Sequence, residues 1–168
     1  MSRPPHKRRV VAILENVRSL YNVGAAFRTA DGFGLEHLYL SGFTAGPDGL
    51  NDPVVRGRVA KTALGAENTV PWTKFDNHLT IVDQLKRGGW TVLALEQAPS
   101  AVSLFTFHVS PPLRIALVVG NELHGVTEST LRLADHVVQI PMLGQKESLN
   151  AAVAFGIACA WLRWGQYE

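Results

Sequence analysis

The sequence predicts an α/β fold in which one mostly parallel sheet carries helices on both of its faces. Short apolar runs alternate with helical patterns along the whole chain, and such alternation is typical of parallel strands joined by crossover helices. The chain has 168 residues, of which 46% are hydrophobic and 18% are charged. These values indicate a single globular domain and exclude a disordered or collagen-like chain.

Six segments are predicted as strands because each is a short apolar run or alternates apolar with polar residues. They cover residues 9–14, 37–40, 69–72, 90–95, 115–119 and 137–140. The fourth and fifth segments carry the clearest pattern. A loop rich in glycine and proline, residues 41–53, follows the second segment.

Five helices are predicted from capping residues at their starts and from glycines at their ends. They run from Asn22 to about residue 31, over 54–64, from Asp76 or Asn77 to 87, from Thr127 to about 134, and over about 149–164. Each lies between two predicted strands or follows the last one. This order supports crossover connections.

The last predicted helix, residues 149–164, has almost no polar face. A helix that is apolar all round must be covered on all sides. The core of so small a domain covers one side, so we expect a second subunit to cover another. The sequence therefore predicts a homodimer.

Positive charge is concentrated in two short segments of a chain whose formal net charge is +2. Residues 1–9 form a basic arm ahead of a single domain over 10–168, and an acid-free run covers 53–66. Their cations are Arg3, Lys7, Arg8 and Arg9 in the arm, and Arg56, Arg58 and Lys61 in the run. Two local patches predict a polyanionic partner, although the arm alone is equally consistent with a solvated terminus.

Several common functional classes are excluded by missing signatures. The single cysteine, Cys159, allows neither an internal disulfide nor a cysteine-based zinc site, and it favours a reducing, cytoplasmic setting. The longest apolar run, 151–162, is shorter than the ~20 residues of a membrane-spanning helix. The six histidines show no metal-ligand spacing, and no dinucleotide fingerprint, P-loop or Gly-x-Ser-x-Gly elbow is present.

Two segments carry polar residues at points where a ligand could lie. In residues 22–30, Gly24 and Arg28 are four apart and share a helix face. Arg28 stands among apolar residues, which is costly unless it meets an anion or a carboxylate. In residues 118–125 a buried strand runs into Gly120, Asn121 and Glu122, which makes Glu122 a candidate partner for Arg28 in a structural salt bridge.

A third segment, residues 140–150, precedes the last helix. Ser148 is predicted to cap that helix. Asn150 is then placed in the first turn, where capping does not explain a polar residue at the start of an apolar helix. The sequence therefore adds Asn150 to the candidate site residues.

Together these segments resemble the three signature motifs of the SpoU/TrmH-type branch of the SPOUT RNA methyltransferases, over about residues 10–164. The matching residues are Asn22, Gly24, Arg28 and Ala30, then Gly120, Asn121, Glu122 and Gly125, then Ile140, Pro141, Met142, Ser148, Leu149 and Asn150. One departure is Ala151–Ala152, where the family often has Val-Ser. The resemblance implies a C-terminal trefoil knot, an obligate homodimer and 2′-O-methylation of RNA ribose with S-adenosylmethionine.

The resemblance also implies which residues form the site. It places the cofactor on backbone loops at Leu95, Glu96, Gly120, Ile140, Met142, Ser148 and Leu149. It assigns catalysis to Arg28, Asn22, Glu122, Ser148 and Asn150. Similar enzymes are described with the arginine as general base, but a guanidinium stays protonated, and it can instead anchor a phosphate and stabilise the developing alkoxide.

Three functions are open at this point. A tRNA ribose 2′-O-methyltransferase is favoured because the chain has no room for an added RNA-binding domain. A methyltransferase of ribosomal RNA is the second possibility. The third is a non-catalytic RNA-binding dimer, against which the presence of Arg28, Glu122, Ser148 and Asn150 argues.

Overall fold

A seven-stranded parallel sheet forms the centre of the computed structural model, which describes residues 8–49, 52–108 and 114–165. The strands are β1 (Arg9–Glu15), β2 (His37–Ser41), β3 (Trp72–Phe75), β4 (Thr91–Leu95), β5 (Val102–Ser103), β6 (Arg114–Val119) and β7 (His136–Gln139). Their order in the sheet is β3-β2-β1-β6-β4-β7-β5, and each neighbouring pair is parallel. The predicted sheet is confirmed.

Within these ranges four α-helices lie between strands and a fifth follows the last strand, as predicted. They are α1 (Leu20–Gly32), α2 (Pro53–Ala63), α3 (His78–Arg87), α4 (Glu128–Leu133) and α5 (Ala151–Trp164). None of the helices in the described ranges is long and apolar enough to cross a membrane. The trefoil knot stays a prediction.

Two predicted helix starts are wrong. The Ser19 side chain, and not Asn22, caps α1 by accepting a hydrogen bond from the Asn22 N–H. Asn150, and not Ser148, caps α5, since its Oδ1 accepts from the N–H groups of Ala152 and Val153 at 2.9 and 3.3 Å. In both cases a second capping residue lies two or three positions away, and sequence alone does not choose between them.

Two strand predictions also change. The third strand lies at Trp72–Phe75 and not at 69–72, because Ala66–Asn68 forms a 3-10 turn whose final bonds engage Thr69 and Val70. The two-residue strand β5 was not predicted, since two residues are too few to show a period of two.

The two faces of the sheet are covered by different helices, as predicted. Along β1, Val10, Ala12 and Leu14 pack in the cluster that includes residues of α1, α2 and α5, whereas Val11 and Ile13 pack in the cluster formed with α3 and α4. This alternation follows from the period of two in a strand. Helix α5 buries one side, but Val153 and Trp164 on it remain exposed.

Helix α1 crosses α2 at unusually short distance through Gly24. A Cβ atom added to Gly24 would lie 2.2 Å from both Thr62 Oγ1 and the Val59 carbonyl oxygen. The Thr62 hydroxyl donates to the Tyr21 carbonyl oxygen at 2.9 Å. The position therefore requires glycine, and the contact fixes α2 beside the first turns of α1.

Two cations of the predicted basic arm, Arg8 and Arg9, lie within the described residues. Arg9 begins β1 and pairs with Glu36 at 2.8 Å. The Arg8 guanidinium donates to the carbonyl oxygens of Leu162 and Gly165 at 3.1 and 3.0 Å. Both side chains therefore bind groups of the fold itself, while Arg3 and Lys7 lie outside the described residues.

A buried carboxylate, Glu15, joins the end of β1 to the start of α4. Its side chain is 0% exposed. Oε1 accepts from the Thr127 N–H at 2.8 Å, and Oε2 accepts from the Thr130 hydroxyl at 2.6 Å. Glu15 lies at the N-terminal end of α4, where the helix dipole also favours a negative charge.

We expect Glu15→Ala to lower the free energy of unfolding by roughly 1–3 kcal/mol, because the buried Thr130 hydroxyl and the half-buried Thr127 N–H lose their acceptor. Chemical denaturation monitored by circular dichroism measures this change. The matched control is Glu128→Ala in α4, the helix that Glu15 binds. The exposed Glu128 carboxylate pairs with Arg132, and the expected loss of free energy of unfolding is about 0–1 kcal/mol. Equal losses in the two variants would contradict the structural role of Glu15.

Candidate active site

A pocket of about 230 Å³ opens at the carboxyl ends of three central strands. The loops after β4, β6 and β7 and the start of α5 form its wall. The residues that line it include Leu95, Glu96, Gln97, Val119, Gly120, Glu122, Gln139, Ile140, Ser148, Leu149, Ala151 and Ala154. The carboxyl edge of a parallel sheet is where ligands bind in open α/β folds.

The loop after β6, residues 120–125, is rigid because Asn121 organises it. Asn121 and Gly125 exchange two backbone hydrogen bonds of 3.0 and 2.9 Å. The Asn121 Oδ1 accepts from the N–H groups of Leu123 and His124. A Cβ atom on Gly120 would lie 2.2 Å from the backbone of Gly125 and Val126, so only glycine allows the loop to close in this way.

Two side chains tie the other pocket loops to this one. The Glu96 carboxylate accepts from the N–H groups of Val126 and Gln97 at 2.7 and 2.9 Å. The Gln97 amide donates to the Ile140 carbonyl oxygen at 2.8 Å. The three loops therefore form one connected wall, in which Gln97 is a residue that sequence reasoning missed.

A chain of hydrogen bonds joins the three sequence motifs beside the pocket. The Asn150 Nδ2 donates to the Asn22 Oδ1 at 3.2 Å, and the Asn22 Nδ2 donates to the Glu122 Oε1 at 2.9 Å. The Glu122 carboxylate also accepts from the backbone N–H groups of Arg18 and Ser19, both at 3.0 Å. Residues one hundred or more positions apart thus form one polar network.

The Glu122 carboxyl is acidic in this network. Burial raises its pKa, but the hydrogen bonds from the Arg18 and Ser19 backbone and from the Asn22 amide together outweigh burial. The pKa of Glu122 therefore lies below its ordinary value. The Glu122 carboxyl is therefore ionised at neutral pH. It accepts a hydrogen bond from the Asn22 amide and so fixes the orientation of that amide.

The predicted pairing of Arg28 with Glu122 is wrong. The Arg28 side chain is exposed, and its guanidinium forms no hydrogen bond or ion pair within the described residues. Asn22 and Arg28 are six residues apart in α1, so their side chains are separated by about 240° around the helix axis. Arg28 therefore points away from the network, and the Glu122 acceptors are occupied by other donors.

The structure places the other predicted residues at or near the pocket. Six of the residues implied for the cofactor line it, namely Leu95, Glu96, Gly120, Ile140, Ser148 and Leu149. Met142 is half-buried and does not line it. Sequence reasoning also missed the backbone of Arg18 and Ser19, because a main-chain donor leaves no signature in the residue type.

Comparison with known proteins gives one family. The model of the SpoU rRNA Methylase family matches residues 9–160. A curated relative, the 23S rRNA (guanosine-2'-O-)-methyltransferase RlmB of Neisseria meningitidis, is 30% identical over 163 residues, which cover 97% of this chain and 60% of the relative. This chain thus spans well under two thirds of that relative's length.

Solved structures show the same fold. An AdoMet-bound rRNA methyltransferase from Sinorhizobium meliloti superposes with a TM-score of 0.81 at 27% identity, over 96% of this chain and 58% of the other. A structure described as giving insights into the 2-OH methylation of C/U34 on tRNA has a TM-score of 0.76 at 26% identity, over 92% of this chain and 94% of the other.

The acidity of Glu122 predicts how stability depends on pH. Because its folded pKa is lowered, the carboxylate stabilises the fold above its unfolded pKa of about 4.3, and this contribution is lost as the pH falls through the lower folded pKa. We expect Glu122→Gln to melt below the wild type at pH 7 and the difference to narrow below about pH 4.

Melting curves between pH 7 and pH 3 measure this difference. The matched control is Glu147→Gln, since the exposed Glu147 carboxylate accepts no hydrogen bond within the described part of the chain; it should melt like the wild type at pH 7. A difference for Glu122→Gln that stays constant down to pH 3 would contradict the prediction.

Proposed function

The chain belongs to the SpoU rRNA methylase family, and we propose that it transfers a methyl group from S-adenosylmethionine to the 2′-hydroxyl of an RNA ribose. The observation that carries this proposal is the hydrogen-bond chain from Asn150 through Asn22 to Glu122. It joins the three motifs at the edge of a pocket. A protein that used the pocket only for structure would not need two oriented amides beside it.

The pocket suits the proposed cofactor. Apolar residues such as Leu95, Ile140 and Leu149 line its wall together with polar residues such as Gln139 and Ser148, which fits a flat adenine ring and a ribose. The close approach at Gly120 lets the loop fold back on itself at the wall of the pocket. S-adenosylmethionine supplies an electrophilic methyl group, so the protein mainly orients the ribose and manages one proton.

The network fixes how both amides are oriented. The Asn150 Oδ1 accepts from the backbone at the start of α5, so its Nδ2 faces Asn22. The Asn22 Oδ1 receives that bond, so its Nδ2 faces Glu122. Each amide nitrogen carries a second hydrogen. These two hydrogens are available to hold ribose oxygens in a fixed position at the pocket mouth.

Arg28 supplies positive charge in the proposed reaction, although it lies outside the network of its own chain. A planar guanidinium binds a phosphate with two parallel hydrogen bonds and stabilises a developing alkoxide. We propose a homodimer in which a second copy covers the exposed Val153 and Trp164 of α5. Such a dimer brings Arg28 of one copy toward the network of the other.

We favour tRNA as the substrate. The support is the similar structure described with 2-OH methylation of C/U34 on tRNA, of which this chain covers 94%. Ribosomal RNA is the second candidate, favoured by the name of the RlmB relative. An RNA substrate and the free thiol Cys159 both support a reducing, cytoplasmic setting.

The test of the proposed function is methyl transfer from labelled S-adenosylmethionine to separate tRNA and rRNA pools. We expect label in tRNA, at a nucleotide linkage that resists alkaline hydrolysis because its 2′-oxygen is methylated. Label in rRNA alone would select the second candidate. No label in either pool, with the cofactor bound in calorimetry, would refute the proposed activity.

Variants of Arg28 test whether this side chain serves the reaction or the stability of the fold. We expect turnover of both Arg28→Ala and Arg28→Lys to fall at least ~100-fold, since lysine keeps the charge but loses the planar fork. The melting temperature and the cofactor affinity should match those of the wild type, because the side chain is exposed and the pocket uses other residues. Single-turnover methylation, calorimetry and melting curves measure the three quantities.

The control for Arg28 is Arg132→Lys, an exposed arginine of α4 that pairs with Glu128. It should leave turnover unchanged. Turnover near the wild-type rate in Arg28→Lys would remove Arg28 from the proposed catalytic residues. A large loss of melting temperature in Arg28→Ala would show that the side chain supports the fold.

Helix α2 is proposed to bind phosphates of the RNA. Arg56, Arg58 and Lys61 are exposed on it, and the Lys61 ammonium lies 5.8 Å from the centre of the Tyr21 ring. We expect Arg58→Gln with Lys61→Gln to weaken RNA binding and to lower the log–log salt slope by about 0.7–0.9 per lost contact. Arg87→Gln, on the opposite face of the sheet, is the control, and an unchanged slope in the double variant would exclude α2.

A further inference from the structure

An aromatic side chain, Phe43, stands in solvent on the loop after β2. It is 61% exposed, yet the loop that carries it is fixed. The Phe43 N–H donates to the Asn16 Oδ1 at 3.2 Å. The Gly42 N–H donates to the Phe75 carbonyl oxygen at 3.0 Å, and the Lys74 ammonium donates to the Gly42 carbonyl oxygen.

Thr44, the residue after Phe43, anchors the same loop to the end of β1. The Thr44 side chain is fully buried. Its hydroxyl donates to the Leu14 carbonyl oxygen and accepts from the Val17 N–H, both at 2.9 Å. The backbone around Phe43 is therefore anchored to the ends of β1, β2 and β3, and Phe43 is presented to solvent by a rigid support.

This loop is connected to the proposed active site through Asn16. The Asn16 carbonyl oxygen accepts from the Asn121 Nδ2 at 2.8 Å, and Asn121 also fixes the backbone of Leu123. Leu123 is 76% exposed. Two large apolar side chains thus project from loops that the hydrogen bonds of Asn16 and Asn121 connect.

A cation accompanies these apolar side chains. The Arg18 backbone N–H binds Glu122, so Arg18 lies directly beside the polar network. Its side chain is exposed, and the guanidinium forms no hydrogen bond or ion pair with another residue in the described ranges. The backbone of Phe43 is bound to Asn16, two residues before Arg18. An exposed aromatic ring and a guanidinium carried by connected loops complement one ligand chemistry in particular, an unstacked base with its phosphate.

We propose that Phe43 is a stacking platform for an unpaired nucleobase next to the methylated nucleotide, with Leu123 as a second exposed apolar side chain at the same edge of the sheet, and that Arg18 binds the phosphate of that base. This inference rests on the proposed function and deepens it. A ribose can reach the pocket mouth only if its nucleotide leaves the helical stack, and the stacking lost in that step is replaced on an aromatic side chain. The platform makes single-stranded or loop RNA the preferred substrate.

The test compares Phe43→Ala with Phe43→Trp, using total tRNA at one fixed salt concentration. Loss of one stacked base lowers affinity by about tenfold or more, so Phe43→Ala should raise the Kd for tRNA and the KM by about that factor. Its kcat and its cofactor affinity should stay near those of the wild type. Phe43→Trp should restore binding, and its added fluorescence should be quenched by tRNA.

Two further variants make the test specific. Arg18→Gln should weaken tRNA binding and lower the salt slope by about 0.7, as expected for one contact to single-stranded phosphate. Leu133→Ala is the matched control, because Leu133 is an exposed apolar residue at the opposite edge of the sheet, 38% exposed. It should leave Kd and KM unchanged.

The outcomes separate this inference from the proposed function. Wild-type protein that binds tRNA without methylating RNA would refute the proposed activity. The Kd of Phe43→Ala for tRNA would still show whether Phe43 stacks on a base. Wild-type activity with an unchanged Kd and KM in Phe43→Ala overturns the platform alone. A lower molecular mass of Phe43→Ala in light scattering also overturns it, since Phe43 would then be covered by a second copy of the chain.

Discussion

The ionised carboxylate of Glu122 is the group around which the site is assembled. A half-buried carboxylate needs hydrogen-bond donors, and Glu122 finds them in the backbone at Arg18 and Ser19 and in the Asn22 amide. These donors all belong to the start of α1, so the contact fixes that helix against the loop after β6. Asn150 extends the same network, and it also caps α5. One carboxylate thereby fixes the mutual positions of two helices and one loop.

A second carboxylate works in the same way on the other face of the sheet. Glu15 lies at the carboxyl end of β1 and accepts from the start of α4, as Glu122 follows β6 and accepts from the start of α1. Parallel strands place their carboxyl ends at one edge, where the helix starts also converge. The orphan N–H groups at those starts require acceptors. Glu15 and Glu122 therefore use the same arrangement, a carboxylate at the carboxyl end of a strand that accepts hydrogen bonds from the start of a helix. Glu15 uses it within the fold, and Glu122 uses it in the proposed site.

The sequence predicts the strand and helix order well because periodicity and capping are local signals. The class of sheet and both helical layers follow from that order, and the residues of the three motifs are recognisable one by one. What sequence could not give is set by tertiary contacts. The Asn22 side chain is used by the network, and Ser19 caps α1. Asn150, in contrast, both caps α5 and joins the network. The Arg28–Glu122 pairing failed because spacing from Gly24 fixes a helix face, but not the partner that the face meets.

The position of Arg28 makes the single chain incomplete for the proposed reaction. The pocket and the oriented amides of Asn22 and Asn150 lie together in one chain, while the guanidinium points elsewhere. An exposed arginine with no partner in the described ranges does little for stability, so its place in the first motif calls for a function outside the fold of one chain. The uncovered side of α5 lies on the same layer of helices as α1. In the dimer that we propose, a second copy buries this side and also contributes the missing cation, so the dimer and the active site form one proposal.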